Sequence, residues 1–597
     1  MPTHTRKFRS WMQASLLTCW LTASLPAATG YLVHNLVSDL PGLADHVDKN
    51  LVNPWGNAFG AATPFWISNN HSGTSTLYDG TGTPLPLVVD VPAPGGPGTQ
   101  GAVTGIVFNS STGFVMSSNQ KPATYLFCSE DGTIAGWNAG TTATILADKS
   151  ASHANYKGCA LGGTSDAPLL YVANFSSGAV DVFDGSFQPV VNAGAFVDSG
   201  VPADFAPFNI AVLAGKVYVT YAKPDDDKED DVPGPGNGYV SVFDLNGVLQ
   251  AHLIAQDPLN SPWGLAIAPA TFGAYAGALL VGNFGDGRIN AFNAATGQQL
   301  GTLNDVVGGP LQIPGLWSLE FGNGARSDAA TLYFTAGIPG PFGDSPETHG
   351  LFGSIQPAPS FTQAAIVNAA AASAPLAPNT FITITGGALS AKTRSWEVGD
   401  FDGNNLPAEV EGVTVTVNDE PAYVSYISPS QLNVLLPADL VAGPAQIQIS
   451  NNGLVSGTQT VTLQAAGPAF FTFAGNKYVA ATHADGSLSA PAGLISGATT
   501  TPAVGGETLV LYANGFGQTE EAIPNGQLIT TALQLAQKPS VTIGGASAEV
   551  VFAGLTAAGL YQINVVVPSG LAAGDNALVA QVGGAATQSG VFVSIGQ

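Results

Sequence analysis

Ile67-Ser68-Asn69-Asn70-His71-Ser72-Gly73 followed by Leu77-Tyr78-Asp79-Gly80 returns as Val172-Ala173-Asn174-Phe175-Ser176-Ser177-Gly178 followed by Val182-Phe183-Asp184-Gly185. It returns again as Val281-Gly282-Asn283-Phe284-Gly285-Asp286-Gly287 followed by Ala291-Phe292-Asn293. One strand-turn-strand motif is written three times. More worn copies keep the phase: Trp55, Thr104, Lys157, Phe208, Trp263 and Trp317 precede the first strand of six successive units, at separations of 49, 53, 51, 55 and 54 residues by subtraction. A period of about fifty residues with about four strands per unit reads as a β-propeller, because each blade leaves its faces uncovered until neighbours pack on both sides. Six units predict six blades. The sixth supplies only residues 317–320, 331–335 and 351–355, so the unpartnered segment 31–37 is expected to be its fourth strand, closing the ring and removing an exposed edge.

At 597 residues the chain exceeds one hydrophobic core. With 45% apolar and 10% charged residues, and 74 Gly and 41 Pro punctuating many short strands, it reads as all-β and globular. A formal charge of −25, from 16 basic against 41 acidic residues, repels phosphate backbones and anionic membranes and argues against nucleic acid as a partner. Residues 1–29 carry Arg6, Lys7 and Arg9, an apolar run over 11–25, then Ala27 and Ala28. That is a signal-peptide pattern, too short and wrongly flanked for a membrane span, and it predicts a secreted, periplasmic or cell-surface protein with no transmembrane segment after its removal. Cys19 follows Leu16-Leu17-Thr18, a faint lipoprotein echo that Thr18 counts against. Cys128 and Cys159 fall in neighbouring blades, and both a disulfide and two buried free thiols stay open.

Beyond the propeller, expected over residues 30–357, the stretch 358–374 reads as linker and domain entry, with Gln356-Pro357-Ala358-Pro359 across its start and an Ala-rich run at its end. A second repeat follows. Gln431-Leu432-Asn433-Val434-Leu435-Leu436-Pro437 recurs as Gln562-Ile563-Asn564-Val565-Val566-Val567-Pro568, an offset of 562 − 431 = 131. Phe381-Ile382-Thr383-Ile384 recurs as Leu509-Val510-Leu511-Tyr512, an offset of 509 − 381 = 128. Two immunoglobulin-like β-sandwich domains are expected, at 375–466 and 467–597, and residues 366–597 are expected to fold alone. Asn433 and Asn564, inside apolar strands, are expected to bond to backbone at a sandwich corner.

Residues 31–357, with Asn53-Pro54-Trp55-Gly56, its echo Asn260-Ser261-Pro262-Trp263-Gly264, and Gly234-Pro235-Gly236-Asn237-Gly238, resemble a functionally uncharacterised family of exported bacterial six-bladed propellers related to NHL repeats. Residues 366–597, with Val367-Asn368-Ala369-Ala370 and the Gln-x-Asn-x-x-x-Pro repeat, look like the paired immunoglobulin-like modules at the C-termini of secreted proteins from soil bacteria, notably Acidobacteria. The resemblance implies architecture and brings no catalytic motif.

Two inner hairpin loops are enlarged, residues 222–237 in blade four and 336–350 in blade six. The first holds Asp225-Asp226-Asp227-Lys228-Glu229-Asp230-Asp231, six carboxylates in seven residues. Asp225, Asp227, Glu229, Asp230 and Asp231 are candidate Ca²⁺ ligands, a hard cation taking six to eight oxygens; the alternative is a solvated acidic loop. If the loop holds Ca²⁺, replacing Asp225, Asp227 and Asp230 with Asn abolishes a calcium-dependent rise in melting temperature. Identical melting in calcium and in chelator leaves only a solvated surface. Asp400-x-Asp402-x-Asn404 with Glu411 echoes an EF-hand, but Gly403 stands at position four and Asn405 where the Gly belongs.

His34, His46, His71, His153, His252, His349 and His483 form no zinc-hydrolase cluster, and neither a Gly-x-Ser-x-Gly elbow nor a P-loop occurs. His71 and His349 sit on loops that share one face of neighbouring blades, or are simply exposed turn residues. Asn69, Asn174 and Asn283 suit turns, where Asn tolerates left-handed backbone. Trp55, Trp263 and Trp317, recurring at one blade position, read as packing between blades before a carbohydrate platform. The sequence thus favours an exported, non-enzymatic binding or interaction protein for an extracellular ligand, protein or glycan, with the sandwiches as spacers. The alternative is a metal-dependent, lactonase-like propeller hydrolase with its site at the channel mouth, and convergence of carboxylates within metal-bonding reach would mark it.

Overall fold

The computed structural model describes residues 30–191, 194–306, 308–340, 345–473 and 477–597, so the signal-peptide reading over 1–29 lies outside the described residues. The chain forms two compact units, Gly30–Pro357 and Ala358–Gln597. Among the described residues no helix is long and apolar enough to cross a membrane.

Among the described residues six blade sheets and one small two-stranded ribbon, Val115–Met116 with Lys121–Pro122, make the first unit. Blade one is Pro54–Ala58, Phe65–Asn69, Thr74–Tyr78 and Pro84–Asp90, and the blades that follow begin with Val103–Phe108, Tyr156–Gly163, Ala206–Leu213, Pro262–Ile267 and Leu316–Phe321. In blade one the strand nearest the axis, Pro54–Ala58, is fully buried and the outermost, Pro84–Asp90, is largely exposed, whereas the outer strand of blade six, Tyr31–Ser38, is half-buried. Six apolar clusters lie one between each pair of adjacent blades, the sixth joining Tyr333 and Phe352 of blade six to Phe65, Ile67 and Tyr78 of blade one. The ring is closed by Tyr31–Ser38, antiparallel to His349–Pro357 from Tyr31↔Pro357 to Ser38↔Leu351.

The six phase-marking residues lie inside the innermost strands, one or two positions from their starts, rather than before them. The residue after each is Gly in blades one, two, three and five because the next inner strand approaches too closely for a side chain. A Cβ at Gly56 would stand 2.7 Å from Thr104 O, and one at Gly264 2.8 Å from Trp317 O. Asn69, Asn174 and Asn283 end their strands with negative φ. The left-handed turn residues are Gly73, Gly178 and Gly287, with φ of 63°, 69° and 69°. The buried asparagine side chains brace the turns instead, as where Asn69 Nδ2 donates to Thr76 Oγ1 at 2.9 Å. Cys128 and Cys159 are free, buried thiols in the cluster between blades two and three.

In the second unit, residues 358–374 are not merely linker: Ser360–Asn368 is a nine-residue strand paired with Phe381–Gly387, burying Phe361 and Ile366. Each sandwich copy repeats one strand pair, Thr383↔Asn433 in the first and Val510↔Asn564 in the second. The Gln-x-Asn repeat has a side-chain cause. Gln431 Nε2 donates to Asn433 Oδ1, and Gln562 Nε2 to Asn564 Oδ1, each at 2.9 Å, because residues two apart share a face of a strand. The sequence expectation of backbone partners for these Asn oxygens is corrected accordingly. Asn514 joins the copies: its amide bonds Asn368 Oδ1 at 2.9 Å and both backbone groups of Phe381. A fragment of residues 358–597 is therefore expected to fold alone, whereas one starting at 375 loses the edge strand and the Asn368 partner and melts lower. Equal melting temperatures would show that strand to be dispensable.

Candidate functional site

Each inner strand aims one side chain at the propeller axis, and the aromatic ones fill it. Trp55 and Trp317 stack with ring centroids 3.5 Å apart, Trp263 meets Trp55 edge-on at 6.1 Å, and Phe175, Phe208 and Phe284 complete the cluster. The tryptophans thus pack across the axis rather than between blades. Blade two contributes Thr104, whose Oγ1 donates to Tyr156 O at 2.7 Å. Blade three contributes a cation. Lys157 is fully buried, with Nζ 5.1 Å from the Trp55 ring and 5.6 Å from Phe175, distances at which a desolvated ammonium is drawn to the aromatic faces.

The carboxylates that answer this lysine come from the strand-two to strand-three turns of alternate blades, all at the end of the axis where the inner strands begin. Glu130 of blade two ion-pairs with Lys157 through Oε1 and accepts Asn70 Nδ2 at 2.8 Å through Oε2. Asp230 of blade four, largely exposed, stands 3.7 Å from Nζ. Glu347 of blade six accepts Asn53 Nδ2 at 2.8 Å, and Asn53 Oδ1 takes the indole N–H of Trp317 at 3.0 Å. Both Asn53 and Glu347 hold left-handed backbone, with φ of 47° and 74°, a conformation costly for Glu and of the kind concentrated at functional sites. Burial pushes the Glu347 carboxyl up to about 7, with Glu130, Asp230 and Asp231 adding repulsion, and burial pushes Asp231 up to about 6. Asn155 Oδ1 and the indole nitrogens of Trp55 and Trp263 are buried without a partner among the described residues. Such groups each cost about 1–3 kcal/mol unless water or a ligand satisfies them.

The five acidic-loop candidates do not form a ligand shell. Asp225 caps its own loop, its Oδ1 accepting Glu229 N at 3.0 Å and its N–H donating to Asp230 O at 2.8 Å, while Asp230 and Asp231 turn toward the axis. Asp227 and Glu229 are exposed. Among the described residues no group of three or more His, Cys, Asp or Glu is placed to hold a metal ion. The EF-hand echo is a salt-bridge cluster: Arg394 grips Asp400 with two bonds of 2.7 and 2.8 Å and Glu411 with one of 2.8 Å. His349 Nδ1 pairs with Asp39 Oδ2 at 2.6 Å beside the closing strand, while His71 is exposed. Glu130, Lys157, Glu347 and Asn53 were not singled out as site residues by sequence, although Lys157 stands in a register otherwise held by Trp, Phe and Thr.

The raised carboxyls set a pH dependence. Glu347 and Asp231, with Glu320 on the same inner strand as Trp317 and also near 7, keep protons that the unfolded chain releases near 4.5, 3.8 and 4.5. Their stabilising contribution is full below those ordinary values and is lost as pH rises through about 6 to 7. The propeller melting temperature, followed by tryptophan fluorescence, is expected to fall from about pH 5 to about pH 7.5, and Glu347→Gln to flatten that slope. A melting temperature that rises over the same range contradicts the assignment.

Residues 371–464 match the family model described as IPT/TIG domain. The Uncharacterized protein R648 of Acanthamoeba polyphaga mimivirus is 31% identical over 342 residues, covering 55% of this chain and 81% of that protein. The Uncharacterized protein L690 of the same virus is 31% identical over 342 residues, covering 55% and 86%. Among solved structures, a streptogramin B lyase aligns with 56% of this chain and 100% of its own at 9% identity and a TM-score of 0.34. A PQQ-bound aldose sugar dehydrogenase from Streptomyces coelicolor aligns with 55% and 100% at 12% identity and a TM-score of 0.32. Scores this low carry no argument about chemistry.

Proposed function

Since the chain belongs to the family of the mimivirus proteins R648 and L690, and joins a propeller to an IPT/TIG-type sandwich, we propose that it is an exported binding protein whose propeller mouth receives a basic segment of an extracellular protein partner. The sandwich pair serves as its spacer or surface attachment. The observation that carries this reading is the gathering of Glu130, Asp230 and Asp231 around the buried cation Lys157, with Glu347 close enough to be repelled by all three carboxylates. Even with Glu347 only partly ionised near pH 7, the carboxylates outnumber the one buried ammonium and leave a surplus of negative charge over an aromatic floor. A partner's lysine or arginine side chain complements both, through charge-assisted bonds and ring contact.

The test uses an oligolysine peptide and an oligoglutamate control against the full chain at low and physiological salt. Oligolysine is expected to bind and the control to fail. The Asp230→Asn/Glu347→Gln variant should lose about tenfold in affinity, a change of roughly 1.4 kcal/mol. Unchanged oligolysine affinity in that variant would assign the binding to general surface charge and reject the mouth as the site.

A further inference from the structure

We infer a second ligand site at the opposite end of the propeller axis, shaped for a small apolar amine. The far ends of the inner strands open there into a cavity of about 320 Å³, within the range of small-molecule pockets. Its wall sets the aliphatic side chains Ile106, Leu161, Ile210, Leu265 and Leu319, contributed by five different blades, among polar groups that include Asn57, Asn209 and Ser318, and Trp263 of the axial cluster bounds it as well.

One acidic side chain lines this wall. Glu320 has no hydrogen-bond or ion-pair partner among the described residues, and burial pushes its carboxyl up to about 7. Packing does not call for it. Three positions after the axis residue, the other blades carry Ala58, Val107, Ala160, Ala211 and Ala266, and only blade six departs from a small apolar side chain. A buried carboxylate with no partner is costly unless an opposite charge is brought to it. An ammonium on an apolar body meets both requirements. Asn57 lines the same cavity, and its Nδ2 is buried without a partner, an amide donor for any acceptor the ligand carries.

The experiment is titration of the full chain at about pH 8, where a carboxyl near 7 is ionised, with three probes of similar shape: 2-phenylethylamine, 2-phenylethanol and 3-phenylpropionate. Heat of binding and Trp263 fluorescence give the readout. The amine is expected to bind at least about tenfold more tightly than the alcohol, a preference of roughly 1.4 kcal/mol, and the carboxylate not at all. Glu320→Gln, near-isosteric, should erase that preference while leaving alcohol affinity unchanged, and Ala211→Phe, which places a ring in the cavity, should abolish both. The mouth variant Asp230→Asn/Glu347→Gln should bind the amine normally, separating this site from the one proposed above. Equal affinity for amine and alcohol in the parent, no binding of either, or an amine affinity unmoved by Glu320→Gln in a chain that melts like the parent, each overturns the proposal.

Discussion

A chain lacking residues 30–38 is expected to lose the cooperative unfolding transition of its propeller while keeping that of its sandwiches. The deleted strand makes seven register pairs with His349–Pro357. It also serves two cores at once: Tyr31 is buried between blades five and six, while Leu36 and Val37 are buried between blades six and one. Each large apolar side chain moved from such a core to water costs about 1.5–3 kcal/mol, and the bared strand offers an edge to other chains. With a typical domain holding only about 5–15 kcal/mol in total, losing three such side chains and a sheet edge removes most of the margin. Calorimetry should therefore show one transition where the parent shows two, with aggregation. Two transitions at the parent's temperatures would mean that the ring does not depend on its closing strand.

Replacing Lys157 with Met should cost the propeller about 3–5 kcal/mol near pH 8, the usual penalty for leaving one half of a buried pair uncompensated. The side chain is apolar enough to keep contact with Trp55 and Phe175, so the loss falls on charge. Glu130 is left without its partner, and Glu347, already repelled by Glu130, Asp230 and Asp231, has no cation nearby to offset them. The deficit should shrink toward pH 5.5, where protonation relieves the repulsion, and Lys157→Met/Glu130→Gln should recover part of it. A variant as stable as its parent at both pH values would show that the lysine is structurally idle.

The ring was legible because each blade writes its own strands in nearly the same order, and the closing strand was legible because blade six was one strand short. The strand Ser360–Asn368 was not, because small residues at 369–374 read as linker and Phe361 and Ile366 gave too little alternation to outweigh them. The mouth was hidden for a topological reason. Glu130, Asp231 and Glu347 lie about a hundred residues apart and meet only when the ring closes, so no local spacing announces them, whereas the acidic run at 225–231 drew attention by density alone. One signal was present: an interior lysine in an aromatic register, in a chain with only 16 basic residues. Arg394, Asp400 and Glu411 show the converse, an acidic pattern that resembles a cation site until the cation proves to be an arginine.

Tyr31 pairs with Pro357, 357 − 31 = 326 positions later, which fixes an order of events in time. The first strand of the propeller to leave the ribosome is the last to find its place. Until residue 357 has emerged, every completed blade waits on a ring with a gap in it. The entropy of closing so long a loop grows only logarithmically with its length, so the delay is a matter of rate rather than of equilibrium. The same clasp gives the two ends of the chain different mechanical meanings. Load applied upstream of Gly30 bears first on the Tyr31↔Pro357 pair and so on the closure of the ring, while load applied at Gln597 bears on the sandwich sheets.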